Sequence, residues 1–200
     1  LEAFLHGIIL AFGLILPLGV QNVFVFSQGA TQPNVFKALP ASLTAAICDT
    51  MLILLAVFGL SLIVLQFEWL RITLMTVGIV FLLYMGYSIW RSNPSSTTNN
   101  EALPVKKQIF FALSVSLLNP HAILDTIGVI GTSALKYSGT EQIIFTLACV
   151  LISWLWFFGL TLTGASFKKL DRSGKLMRLF NKCSAIFIWA TACYLASGFL

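Results

Sequence analysis

The chain has 200 residues, of which 58% are hydrophobic and 10% charged, with a formal net charge of +5. Soluble domains carry roughly 25% charged residues because their surface must be wetted, so a mean hydropathy of +0.93 excludes a water-facing exterior and points to lipid. A nucleic-acid binder is excluded as well, because the cations sit in short links between apolar runs and form no patch.

Six apolar stretches follow in chain order: 5–28, 37–65, 69–90, 108–135, 142–167 and 179–200. No strand-like alternation interrupts them, and hydrocarbon requires every backbone N–H and C=O to be paired within the segment, so each is predicted helical. The first stretch has no Lys or Arg ahead of it and reads as a span, not a cleaved signal. It carries Leu16-Pro17-Leu18-Gly19-Val20-Gln21-Asn22. Pro17 removes a backbone donor, Gly19 adds freedom, and Gln21 and Asn22 supply amides at the predicted break. A kinked packing helix with both amides bonded to neighbours is the plainer reading of the same residues. His6, near the start of this stretch, has no partner evident in the sequence.

The second stretch holds Asp49, flanked by apolar residues on both sides. A carboxylate at mid-helix costs at least about 2.5–3.5 kcal/mol on insertion scales, so it faces a cavity or a partner, and no Lys or Arg lies in a nearby stretch to pair with it. Trp69 and Trp90 bracket the third stretch as interfacial residues. Residues 92–100, Ser-Asn-Pro-Ser-Ser-Thr-Thr-Asn-Asn, form a low-complexity polar connector. The fourth stretch repeats the pattern of the first: Asn119-Pro120-His121 stands at a predicted break at Pro120, and Asp125 lies four residues after His121, on the same helical face. His121 and Asp125 either neutralise each other or serve a site. The fifth stretch carries an aromatic block, Trp154-Leu155-Trp156-Phe157-Phe158-Gly159, read as packing or as a cavity wall. The cysteines, Cys48, Cys149, Cys183 and Cys193, show no metal or redox spacing and read as small packing residues.

The links alternate in charge. The first, third and fifth hold ten cations (Lys37, Arg91, Lys106, Lys107, Lys168, Lys169, Arg172, Lys175, Arg178, Lys182), the second and fourth only Arg71 and Lys136. Lys and Arg stay on the cytoplasmic side, which puts both termini outside the cytoplasm. The expectation is an all-α integral membrane protein with six transmembrane helices. It divides into a first three-helix half (1–91), a cytoplasmic linker (92–107) and a second three-helix half (108–200). Three spans per half force opposite insertion, the layout of a 3+3 inverted repeat, and breaks in helices 1 and 4 mark a transporter's midplane site. The helix-break residues are Pro17, Gly19 and Pro120. Asp49, Asp125, Gln21, Asn22 and Asn119 are the expected substrate-binding residues, with the acids facing cationic groups and the amides at a free helix N-terminus meeting a carboxylate. Asp49, Asp125 and His121 are the expected proton-coupling residues. No nucleotide loop, catalytic constellation or metal motif occurs, so no catalytic residue, no metal, no cofactor and no enzymatic activity are expected.

These motifs also carry a resemblance. Gly19-Val20-Gln21-Asn22-Val23-Phe24-Val25 followed by Gln28-Gly29, Asp49, Asn119-Pro120-His121, Leu124-Asp125-Thr126 and Trp156-Phe157-Phe158-Gly159 resemble the motifs of the lysine/arginine exporter (LysE) superfamily. Pro17 is similar to its arginine-exporter branch. The family has Pro where this chain has Val20. The resemblance implies a secondary transporter in the bacterial cell (inner) membrane. It would export arginine and/or lysine in exchange for protons, with membrane lipid as its surroundings and no nucleic-acid partner; homo-oligomer formation stays open. Related branches export neutral amino acids or metal cations, which leaves those cargoes as the alternative.

Overall fold

The computed structural model describes residues 1–16, 19–58, 68–91, 102–170 and 175–197. All regular structure among them is helical, as a backbone surrounded by hydrocarbon requires. The first stretch divides into α1 (Glu2–Ile15) and α2 (Val20–Thr31), with axes at 80° to each other. The second is α3 (Val35–Val57), which accommodates Pro40 without ending. The third is α4 (Glu68–Arg91). The fourth stretch is α5 (Val105–Leu117), then α6 (Pro120–Asp125), a π-helical stretch at Thr126–Gly131, and a last turn, α7 (Thr132–Ala134). The fifth is α8 (Thr140–Leu170) and the sixth α9 (Lys175–Ser197). By length and apolarity, α3 and α8 can each cross a membrane, and α1 with α2 can do so as one bent span.

Pro17, the connector at 92–100, and Arg172 lie outside the described residues, as do the side chains of Pro120, His121, Arg71, Lys168, Lys169 and Lys175.

The second break is not inside a helix at Pro120. Leu118 and Asn119 form it, Asn119 with φ −85° and ψ 101°, and Pro120 opens α6. Proline fits that first position because its missing N–H would have had no intrahelical partner there. The π-helical stretch was not foreseen. It widens the helix directly after Asp125 and packs against α3.

Helix α8 is the central element and packs along α1, α2 and α3. Helix α3 also packs on α5 and on the π-helical stretch, α4 pairs with α9, and the two breaks are flanked by contacts of α2 with α9 and of α6 with α4. Exchanging α1 with α5, α2 with the α6–α7 run, α3 with α8 and α4 with α9 maps these pairings onto one another. Small residues bring the central pairs close. A Cβ on Gly7 would stand 2.7 Å from the Phe145 carbonyl oxygen, and Gly29 and Gly164 press on the Thr161 and Phe26 carbonyls.

Candidate functional site: a cavity at two helix breaks

The two breaks face each other. A Cβ on Gly19 would lie 3.9 Å from Asn119 Nδ2. Around this point a cavity of about 130 Å³ is lined from α1, α2, α3, α4, the α6–π run, α8 and α9. That is an order of magnitude above the roughly 10–15 Å³ one water requires, so a small polar solute has room. The expected residues Gly19, Gln21, Asn22, Asp49, Asn119 and Asp125 all line it. Asp49 comes from the middle of α3 and Asp125 from the last position of α6, both partly buried. No lysine or arginine is among the described residues that line the cavity. The space is therefore anionic when its acids are ionised.

The amides do different work. Asn22 donates from Nδ2 to the Ile15 carbonyl at 2.8 Å, and its Oδ1 accepts from Trp156 Nε1 at 3.3 Å. It stitches the end of α1 to the start of α2 and ties both to α8. Gln21 Nε2 and Asn119 Oδ1, each on a side chain only 8% exposed, have no hydrogen-bond partner among the described residues. A buried polar atom left unpaired costs about 1–3 kcal/mol. One orphaned donor and one orphaned acceptor on residues that line one cavity fit a ligand that carries both functions. At α2, Gly19 takes the N-cap with extended backbone and no side-chain cap. The first N–H groups of that helix are not capped by a side chain at Gly19 and lie at the positive end of its dipole.

Sequence reasoning missed several cavity residues. Ser153 of α8 is 2% exposed and lines the cavity. Its hydroxyl shares the cavity with Asp49 and bonds to no described residue. Thr126 and Cys149 line the cavity too. The aromatic block turns out to be divided in use. Trp154 Nε1 donates to Thr50 Oγ1 at 3.0 Å, Trp156 holds Asn22, and Phe157 forms wall. His6 does have a partner, Tyr137, whose hydroxyl lies 2.8 Å from its Nδ1, away from the cavity lining. The four cysteines are free thiols.

Residues 12–198 match the family model described as LysE type translocator. Among similar proteins, YisU of Bacillus subtilis (strain 168), whose name assigns it provisionally to amino-acid transport, is 54% identical over 195 residues, covering 97% of this chain and 89% of the relative. The arginine exporter protein ArgO of Escherichia coli (strain K12) is 33% identical over 198 residues, 96% of this chain and 92% of its own. ArgO of Enterobacter sp. (strain 638) is 33% identical over 201 residues, 98% and 94%. No solved structure matches the chain at a significant level.

Proposed function

We propose, from the premise that the chain belongs to the LysE type translocator family, that it exports basic amino acids, arginine and/or lysine, from the cytoplasm in exchange for protons. The observation that carries this reading is the gathering of Asp49 and Asp125 in one cavity, at two helix breaks, with no described lysine or arginine lining it. The similarity to arginine exporters at 33% identity supports the same cargo.

The site suits a zwitterion with an added cation. The two acids take the guanidinium or ammonium groups. Gln21 Nε2 and the open N-terminus of α2 take the α-carboxylate, and Asn119 Oδ1 accepts from the α-ammonium. Asn22 serves the site by fixing the break. Exporting one positive charge against a negative interior costs about 2.3 kcal/mol per 100 mV, and one entering proton cancels that electrical term. An aspartate that holds either a proton or the cationic cargo performs the exchange, since both compete for one carboxylate. His121, one turn before Asp125, is the relay in this scheme.

The pairing symmetry of the helices supports a 3+3 inverted repeat of the halves 1–91 and 108–200, joined by the linker 92–107. The charge alternation of the links supports six spans in the inner membrane with both termini outside the cytoplasm. Efflux of labelled arginine and lysine from loaded liposomes under a pH gradient tests the reading. Asp49→Asn abolishes proton-driven efflux, while wild-type rates in that variant overturn the assignment.

A further inference from the structure

Ser153 differs from its neighbours on α8. Thr146 and Thr161 on the same helix, both buried, close their hydroxyls on the carbonyls of Gln142 and Phe157 one turn back, at 2.7 Å and 3.1 Å. That back-bond is the usual resting place of a helical hydroxyl in hydrocarbon. Ser153, at 2% exposure, makes no hydrogen bond among the described residues and lines the same cavity as Asp49. An unpaired buried hydroxyl is a cost that packing alone does not explain.

We propose that Ser153 is a positioning residue for the exchange at Asp49, holding the carboxylate in both of its states through one hydroxyl. The inference rests on the transport reading above and deepens it. A serine hydroxyl has one proton to give and two lone pairs to receive with. It donates to Asp49 when the acid is ionised and bound to cargo, and accepts from it when the acid carries the proton. A hydroxyl committed to the preceding carbonyl would have its proton engaged in every step. The other titratable groups near Asp49 are Asp125, which lines the same cavity, Cys149 one turn before Ser153 on α8, and Cys48 beside it on α3. None of them is a hydroxyl, and the acid cannot donate while ionised.

The test is arginine efflux from liposomes measured across a pH series in wild type, Ser153→Ala, Ser153→Thr and Ser153→Cys, with Asp49→Asn beside them. Efflux in wild type and its loss in Asp49→Asn establish the ground; failure there overturns the transport reading itself. On that ground, Ser153→Ala moves the pH midpoint upward by about one unit, a tenfold change in competing proton concentration, because the charge-assisted bond lost by the ionised acid is stronger than the neutral one lost by the protonated acid. Ser153→Thr keeps the wild-type midpoint, and Ser153→Cys, a weaker donor, falls between. A side chain that merely fills space changes protein yield or maximal rate and leaves the midpoint where it was. An unshifted midpoint in Ser153→Ala, or in Ser153→Cys should the alanine variant not fold, overturns the inference.

Discussion

Neighbouring side chains of the same type divide the work at the first break. Gln21 keeps an open donor toward the cavity, whereas both ends of Asn22 are engaged by the protein. The sequence could not separate them, because two adjacent amides at a predicted break look alike until the packing decides which points at a carbonyl. Val20 stands where the resemblance to the family gives proline, and its place in α2 is one that a proline would fit. It is the first helical residue, and Gly19 before it sits at φ −70° and ψ 170°. That extended conformation is the one a residue preceding proline must adopt, and the first helical position is where a missing N–H breaks no bond. Val20→Pro is therefore expected to fold with a stability change below about 1 kcal/mol. Thermal unfolding of the purified protein checks this; a loss of several degrees more than that figure implies would mean that α2 starts elsewhere. The same substitution at Val23, whose N–H bonds the Gly19 carbonyl at 3.1 Å, costs about 3 kcal/mol or more.

Helices were legible in the sequence because lipid permits little else, and Asp49 and Asp125 stood out because lipid rejects them. What could not be read was how the helices end and how closely they approach. Proline signalled both breaks, yet Pro40 lies inside α3, which continues past it, and Pro120 begins a helix instead of interrupting one. The π-helical stretch leaves no mark in a pattern of apolar residues, since its widening follows from packing against α3. Ser153 was hidden for a related reason: hydroxyls are frequent in apolar helices and normally satisfy themselves. The seam of α2 with α8 rests on glycines whose role likewise appears only in three dimensions. A methyl on Gly29 would drive into the Thr161 carbonyl, and one on Gly164 into that of Phe26, whereas a Cβ on Gly13 would meet nothing within 4 Å. Backbone cannot yield as a side-chain tip does. Gly29→Ala and Gly164→Ala are each expected to destabilise by at least about 1–3 kcal/mol. Gly13→Ala should gain about 0.5–1 kcal/mol from helix propensity alone. Unfolding midpoints for the three variants decide the matter, and equal behaviour would mean that the seam is not tightly packed.

Across the whole molecule, the cavity lies to one side of the breaks and a polar clasp to the other. Beside the breaks, the cavity walls come from the second half of α1, the second half of α3 and the middle of α8, with α4 and α9 adding residues. The opposite side is where α2 ends and α3 and α5 begin. There Gln108 donates to the Lys37 carbonyl at 2.9 Å and the Leu103 carbonyl at 2.8 Å. Gln32 donates to the same Leu103 carbonyl at 3.0 Å and to Gln28 Oε1 at 3.1 Å. Gln32 and Gln108 are 2% and 1% exposed, and deeper in the same region Ser42 and Thr161 bond α3 to α8. The glutamine bonds join the end of α2 and the start of α3 to Leu103 and the first turn of α5. Alternating access requires such a closure to be reversible, and amide bonds of about 0.5–1.5 kcal/mol net each are suited to that. Gln108→Leu removes two of them and leaves the Leu103 carbonyl to Gln32 alone among the described residues. The closed state should lose about 1–3 kcal/mol, so opening becomes roughly tenfold more frequent. Hydrogen exchange in lipid nanodiscs reads this directly. Amides in 32–37 and 103–108 should exchange faster while those of α8 around Ser153 do not. Unchanged exchange at the clasp, or an even rise through every helix, would show that these bonds hold the fold together and gate nothing.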